Sequence, residues 1–146
     1  MRTLIIIKPD AVQRGLIGEI LHRFEYRGIK VAALKMLWID KARAKKLYDA
    51  HKGKPFFDDL VGYITSSPIV VGILEAENVI PLVRKMLGTT NPADADLGTI
   101  RGDFALRVNR NIIHASDSKE SAKYEIPIFF DESEIIDYKK IGVEWI

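Results

Sequence analysis

The order of apolar patterns along the chain predicts an α+β fold. Short apolar runs that are typical of strands take turns with longer segments whose apolar residues recur every three or four positions, as in helices. The second and third strands follow each other with only a helical insert between them, which favours an antiparallel sheet. With 146 residues and 47% hydrophobic content, the chain is expected to form one domain over residues 1–146.

The first half of the chain is expected to contain two strands and two helical segments. Thr3–Lys8 is an apolar strand, and Val12–Arg27 carries its apolar residues on one helix face. Residues 30–39 alternate between apolar and polar, so they predict a second strand. Asp40 is a suitable N-cap for a helical hairpin over residues 41–66.

The second half contains two further strands and a long connection. Residues 68–76 are β-branched and apolar, which is typical of an interior strand, and an amphipathic helix from Val79 ends near Gly88. The last strand is expected at "NIIHAS", residues 111–116. The loop before it, residues 88–110, is unusually long, with a short helix possible in "TIRGDFA". Loops of this length in compact domains are usually functional.

Two helices are expected after the last strand. Asp117 or Ser118 can cap the first of them, and Asp131 can cap a final helix in "DESEIIDYKK". The whole order predicts a ferredoxin-like βαββαβ sandwich, in which a four-stranded antiparallel sheet carries its helices on one face. Such a fold does not by itself define a chemistry.

Composition excludes several classes of function. The 22 Lys and Arg residues against 20 Asp and Glu leave a net charge of +2, too small to predict a general nucleic-acid binder. The absence of cysteine excludes disulfides, thiolate metal sites and cysteine nucleophiles. The first apolar run is far too short for a signal peptide or a membrane span. We therefore expect a cytoplasmic protein without a membrane partner.

One of the three histidines stands out. His22 lies off the apolar face of its helix and His51 lies in a Lys- and Gly-rich break, so both are expected at the surface. His114 lies in an apolar strand, where a histidine is more often a packed, hydrogen-bonded core residue than a functional one. A catalytic role requires a carboxylate that orients the ring, and Glu125 could supply it with help from Ser116. On spacing alone, a solvated helix residue is the favoured interpretation of Glu125.

Three cations and one aromatic residue are compatible with a nucleotide site. Lys8 ends the first strand, Arg84 lies off the apolar face of its helix, and Arg101 lies in the long loop. A nucleoside triphosphate carries about four negative charges, so three cations would complement a transferring phosphoryl group. Phe56, with Leu60 four residues on, could stack on a base or simply pack a loop.

Four separated stretches together resemble the nucleoside diphosphate kinase family. "NIIHASDS" looks like its N-x-x-H-[GA]-S-D active-site signature, and "IKPDAVQRGLIGEI", "KPFF" and "LGTTNPADADLGTIRGDFA" resemble the family at consistent spacing. The match covers essentially the whole chain. Ala115 is a departure, because the family more often has glycine at that position, which gives more backbone freedom.

The resemblance implies a site and a mechanism. His114 would be phosphorylated transiently by a nucleoside triphosphate, typically ATP, and would pass the phosphoryl group to a nucleoside diphosphate in a ping-pong reaction. Mg²⁺ would arrive on the nucleotide phosphates, without protein side chains as ligands. The family also implies a homo-oligomer, with a hexamer favoured over a tetramer. The remaining residues implied are Glu125 and Ser116 beside the histidine, Lys8, Tyr48, Arg84, Thr90, Arg101 and Asn111 on the phosphates and sugar, and Phe56, Leu60 and Val108 around the base.

The two alternative functions are RNA binding and, for a catalytically silent relative, interaction with a partner protein. RNA binding is known on ferredoxin-like sheets, but "RGDFALRV" has Asp103 and Val108 where the RNP1 pattern requires stacking aromatics. "GLIG", Gly15 to Gly18, matches a KH-type loop only by a short and common pattern. A catalytically silent relative would be expected to lack the histidine or a phosphate-binding cation, and the sequence retains all of them.

Overall fold

The computed structural model describes residues 1–146 and has the expected ferredoxin-like topology. Its sheet has four strands in the order β2-β3-β1-β4, and all neighbouring strands are antiparallel. The α+β prediction is therefore confirmed. The strands are β1 (Arg2–Ile7), β2 (Lys30–Leu37), β3 (Ile69–Glu75) and β4 (Ile113–Ala115).

Seven α-helices connect and cover these strands. They are α1 (Pro9–Gln13), α2 (Ile17–Tyr26), α3 (Lys41–Leu47), α4 (Phe57–Ile64), α5 (Val79–Leu87), α6 (Ile100–Phe104) and α7 (Lys119–Phe129). Side-chain caps begin three of them, as expected for Asp40 at α3 and Ser118 at α7, and also for Thr99 at the short helix α6. None of the helices is long and apolar enough to cross a membrane.

The helices cover both faces of the sheet, so the prediction of helices on one face was wrong. Ile5 and Ile7 of β1 pack into one core with residues of α2 and α5, while Leu4 and Ile6 pack into a second core with residues of α3 and α4. Strand side chains alternate between faces, and both sets in β1 are apolar, so each face requires its own cover.

The predicted helix over Val12–Arg27 is interrupted. Helix α1 ends at Gln13 and α2 begins at Ile17, with Gly15 between them at φ +70°. This left-handed conformation is open to glycine at little cost, whereas other residues are strained by it. Periodicity alone could not separate the two helices, because the apolar face continues across the turn.

The predicted final helix after Asp131 is also wrong. Only a 3₁₀ turn over Glu132–Glu134 forms, and the chain then runs along strand β2. The amide of Ile136 donates to the carbonyl of Ala32, at the irregularity that interrupts the β2 ladder, with an N···O distance of 2.8 Å. Strand β2 thus supplies a hydrogen-bond acceptor for the amide of Ile136, which in a helix would have donated to a carbonyl four residues earlier.

Gly15 and Gly18 provide a matched test of the turn between α1 and α2. A Cβ at either position would meet no atom within 4 Å, so packing does not distinguish them. Gly15→Ala should lower the free energy of unfolding by about 1 kcal/mol because of its positive φ. Gly18→Ala, inside α2, should raise it by about 0.5 kcal/mol through helix propensity. Denaturant unfolding measures both, and equal stability of the two variants would contradict the assignment of strain to Gly15.

Candidate active site

The central strand and its short neighbour bring the candidate residues together. His114 lies at the middle of β4, opposite Ile6 of β1, and Lys8 follows the end of β1. His114 therefore faces the side of the sheet that the α3–α4 hairpin covers. Ile113 and Ala115, on either side of His114, point into the other core and anchor the strand.

The imidazole of His114 is held by a buried carboxylate. Its Nε2 hydrogen bonds to Oε2 of Glu125. Ser118 caps α7 by accepting from the amide of Ser121, and the helix then returns toward the sheet to deliver Glu125. The His114 side chain is 26% exposed and the Glu125 side chain 7%, so the ring is open to solvent while the carboxylate that orients it is not.

Tyr48, the residue after α3, completes this group. Burial raises the pKa of its phenol, and the negative charge of Glu125 raises that pKa further. Tyr48 therefore remains protonated. Its hydroxyl and Oε1 of Glu125 are both buried without a hydrogen-bond partner within the chain. Buried polar groups are nearly always paired, so unpaired ones indicate a place where a ligand or water binds.

Lys8 is a buried cation that contacts the residue at the start of the histidine motif. Its Nζ donates to Oδ1 of Asn111 at 2.7 Å. Burial lowers the pKa of Lys8 to about 8, and the positive charge of Arg101 acts in the same direction. The amide nitrogen of Asn111 in turn donates to the backbone carbonyl of Thr90 at 3.1 Å.

Arg101 is almost fully buried, although it lies in the long connection that leads to β4. Its guanidinium donates to the carbonyls of Gly88, Asn111 and Ile113 at 3.0, 3.2 and 2.7 Å. Burial lowers its pKa to about 10, and the nearby charge of Arg84 contributes. Arg101 thus fastens the long loop to β4 and still carries its charge into the site.

Arg84 and Ser116 contact the end of β4 in different ways. Arg84, on α5, reaches the carbonyl of Ala115 with Nη1 at 3.4 Å. Ser116 is fully buried, and its Oγ accepts from the amide of Leu4 at 3.3 Å while its own amide donates to the Leu4 carbonyl. These hydrogen bonds of Ser116 extend the pairing of β4 with β1, so its observed contacts go to the sheet.

The aromatic part of the site lies around Phe56. Phe56 and Leu60 line an open cavity of about 570 Å³ together with Asn109 and Arg110. Phe56 is 45% exposed, which leaves a ring face free for stacking. Val108 is exposed on the loop but does not line this cavity. A larger cavity of about 790 Å³, between α2 and α5, contains none of the predicted residues.

His51 is a neighbour of this site that the sequence did not reveal. It was expected at the surface, but it is half-buried, with its ring centroid 5.4 Å from that of Phe56 and 6.4 Å from that of Tyr48. The sequence offered one signal for this, since His51 lies between two candidate residues, Tyr48 and Phe56. His22 is exposed, as expected.

The arrangement defines a class of chemistry. A histidine oriented by a carboxylate and flanked by buried cations is suited to accepting a phosphoryl group and stabilising its charge. Three or more His, Cys, Asp or Glu side chains do not come together anywhere in a group that could hold a metal ion. "RGDFALRV" begins in helix α6 and continues into a loop rather than forming a sheet strand on which RNA bases could stack.

The comparisons with known proteins agree with this class. The family model "Nucleoside diphosphate kinase" matches residues 1–135. The nucleoside diphosphate kinase of Methanothermobacter thermautotrophicus is 58% identical over 145 residues, 99% of this chain and 97% of that protein. The structure of the halophilic nucleoside diphosphate kinase of Halobacterium salinarum in complex with CDP has a TM-score of 0.97 at 41% identity, covering 99% of this chain and 97% of that one.

A third comparison concerns a transition-state mimic. The nucleoside-diphosphate kinase of Borrelia burgdorferi with bound vanadate and ADP has a TM-score of 0.92 at 40% identity, covering 97% of this chain and 93% of that one. The chain belongs to the nucleoside diphosphate kinase family and is a nucleotide-binding phosphotransferase.

The alanine at position 115, where the family more often has glycine, is compatible with the backbone, because Ala115 lies in β4 without the positive φ that would require glycine.

Lys8 predicts a measurable dependence of stability on pH. The folded protein releases the Lys8 proton near pH 8, whereas an unfolded lysine holds it until about pH 10.5. Between these values the unfolded chain binds more protons, so Lys8 makes the free energy of unfolding rise with pH. Lys8→Met should remove this rise, and Lys46→Met, an exposed lysine of α3, should keep it. Chemical unfolding at several pH values tests this, and an identical pH profile for wild type and Lys8→Met would contradict it.

Proposed function

We propose that His114 carries the phosphoryl group in a ping-pong transfer from a nucleoside triphosphate, typically ATP, to a nucleoside diphosphate. The observation that supports this most strongly is the hydrogen bond between Nε2 of His114 and Glu125. A carboxylate at Nε2 fixes the proton there, because Glu125 accepts. The lone pair is then on Nδ1, which is free to act as the nucleophile.

The second half-reaction is the reverse of the first, with a different nucleotide. In the first, Nδ1 of His114 forms a bond to the γ-phosphorus while the bond from that phosphorus to the β,γ-bridging oxygen breaks, and the diphosphate leaves with the electron pair. Glu125 stabilises the positive charge that the imidazole ring gains. In the second, a terminal oxygen of another diphosphate attacks the phosphorus and the P–N bond breaks. One pocket therefore serves donor and acceptor in turn.

Lys8, Arg84 and Arg101 are proposed to complement the phosphate charge. The support is electrostatic, since the pKa values of Lys8 and Arg101 are lowered by burial and by neighbouring positive charge. An anion placed between these cations offsets both the cost of burying their charge and the repulsion between them. Asn111 and Thr90 would add hydrogen bonds to phosphate or sugar.

Mg²⁺ is proposed as the metal, carried by the nucleotide. Enzymes of this kind generally use a divalent metal, and a site rich in cations without a carboxylate cluster fits a metal held by phosphate oxygens. The bound metal would supply charge neutralisation on the phosphates. The protein residues position those phosphates against His114.

Tyr48 and Ser116 are proposed to assist the histidine, Tyr48 as a hydrogen-bond donor and Ser116 by fixing strand β4. The unpaired hydroxyl of Tyr48 is a donor available to the phosphoryl group or to a water beside Glu125. Ser116 acts through the sheet, because its hydrogen bonds to Leu4 fix the end of β4. A hydroxyl at this position therefore holds His114 against β1.

The base is proposed to stack on Phe56, with Leu60 and Val108 nearby. An exposed aromatic face binds any base by stacking, and such contacts are worth about 1–3 kcal/mol per base with little preference for identity. Hydrogen bonds to base edges are not needed for this mode. The site would accordingly accept different nucleotides.

A homo-oligomer, with a hexamer favoured over a tetramer, is proposed as the assembly. Strand β2 is an edge of the sheet, and three apolar side chains on and just beyond it, Leu34, Met36 and Trp38, are each 48% exposed or more. An exposed edge strand with apolar side chains is a template for pairing with another copy. The mass of the protein in solution, as a multiple of the subunit mass, tests this.

Labelling the three histidines in turn tests the carrier. Wild type incubated with γ-labelled ATP should acquire an acid-labile phosphoryl group that GDP discharges, because a phosphohistidine is a competent donor. His114→Ala should acquire none. His22→Ala and His51→Ala are matched controls, since the chain has only three histidines, and both should label. Equal labelling of His114→Ala and wild type would contradict the proposal.

A further inference from the structure

Ile112, two residues before His114, has an unusual backbone. Its φ is +75° although it is β-branched and fully buried. The amide of Ile113 donates to the carbonyl of Asn111 at 2.8 Å, so Ile112 is the central residue of a γ-turn. This form of the γ-turn is rare and strained, and a β-branched residue with positive φ is an outlier that surrounding contacts must maintain.

The turn sets the spacing between two groups of the site. Asn111, the first residue of the turn, binds Nζ of Lys8, and His114 directly follows the last residue of the turn, Ile113. The carbonyl of Ile112 itself accepts from the amide of Lys8 at 2.9 Å. If Ile112 relaxed to an extended conformation, Asn111 and His114 would move relative to each other.

One side chain holds the amide of Ile112. Oδ2 of Asp10, in the first turn of α1, accepts from that amide at 3.1 Å. Oδ1 of the same carboxylate accepts from the hydroxyl of Tyr63 on α4. Tyr63 is buried, and the guanidinium of Arg110 lies 4.2 Å from the centre of its ring. Asp10 is thus fixed from two sides, by the turn and by a helix.

We propose that Asp10 is a positioning residue for phosphoryl transfer, with Tyr63 orienting its carboxylate, because together they hold the strained turn that places His114 and Asn111. The inference rests on the proposed role of His114 as the phosphoryl carrier. Asp10 acts here by accepting a hydrogen bond. A displacement of about 1 Å in a reacting group can lower a rate about a hundredfold, so a small relaxation at Ile112 is sufficient to matter.

A competing explanation assigns Asp10 an electrostatic role. Its negative charge lies near Lys8 and partly offsets the lowering of that lysine's pKa by burial and by Arg101. Asp10→Asn separates the two roles, since its amide oxygen can still accept from Ile112 while its amide nitrogen faces Tyr63, whose hydroxyl oxygen can accept. Asp10→Ala removes both charge and acceptor.

The experiment measures phosphorylation of His114 in a single turnover with saturating ATP, and the affinity for ADP alongside it. Asp10→Ala should lower the phosphorylation rate about tenfold or more, with a smaller change in ADP affinity, since stacking on Phe56 is untouched. Asp10→Asn should recover most of the rate. Tyr63→Phe should lower the rate less than Asp10→Ala. Tyr138→Phe, which removes a hydroxyl donor to the carbonyl of Val31 far from the site, should match wild type.

The outcomes distinguish the positioning role of Asp10 from the proposed role of His114 as phosphoryl carrier. A wild type that acquires no label on His114 removes the proposed carrier, and this inference with it. If wild type is labelled and Asp10→Ala reacts at the wild-type rate, or if Asp10→Asn is as slow as Asp10→Ala, the positioning role alone is overturned. If Asp10→Ala does not fold, Tyr63→Phe decides: a lowered rate supports the role, and a rate equal to that of Tyr138→Phe overturns it.

Discussion

The hydrogen bond between Nε2 of His114 and the buried carboxylate of Glu125 determines what the site can do. It holds the ring and, in the proposed mechanism, would keep the proton on Nε2 and leave Nδ1 for reaction. The fold supplies both partners from adjacent elements, since β4 carries the histidine and α7 returns the carboxylate. The pairing of β4 with β1, which Ser116 extends, keeps these elements in register.

The electrostatics of the site show a compromise between stability and binding. Lys8 and Arg101 both have pKa values that burial lowers, and the charge of Arg101 adds to this effect at Lys8 as the charge of Arg84 does at Arg101. Burying a charge is costly, and the hydrogen bonds of Lys8 to the Asn111 side chain and of Arg101 to backbone carbonyls compensate only partly. An anion that enters the site therefore stabilises the folded protein, because it offsets the cost of burying these cations. A nucleotide would supply that anion, which links affinity to a cost already present in the free protein.

Local patterns predicted most of the fold, and tertiary contacts decided the rest. The alternation of strands and helices was sufficient for the sheet and its topology. The break at Gly15 was hidden because the apolar face continues past it, and the helix expected after Asp131 was replaced by contacts with β2. In the site, the histidine motif and the family resemblance pointed to His114 and Glu125, which the structure brings into contact. They could not reveal the turn at Ile112, since a positive φ at isoleucine depends on the distant acceptor Asp10.

Glu125 is proposed to leave Nδ1 of His114 as the phosphoryl acceptor. The most direct measurement is an NMR spectrum of the phosphorylated protein, prepared with ¹⁵N-labelled histidine and kept at alkaline pH, in which coupling to ³¹P identifies the bonded nitrogen. We expect coupling to Nδ1 of His114, with Nε2 retaining its proton. Coupling to Nε2, or to a nitrogen of His22 or His51, would contradict it.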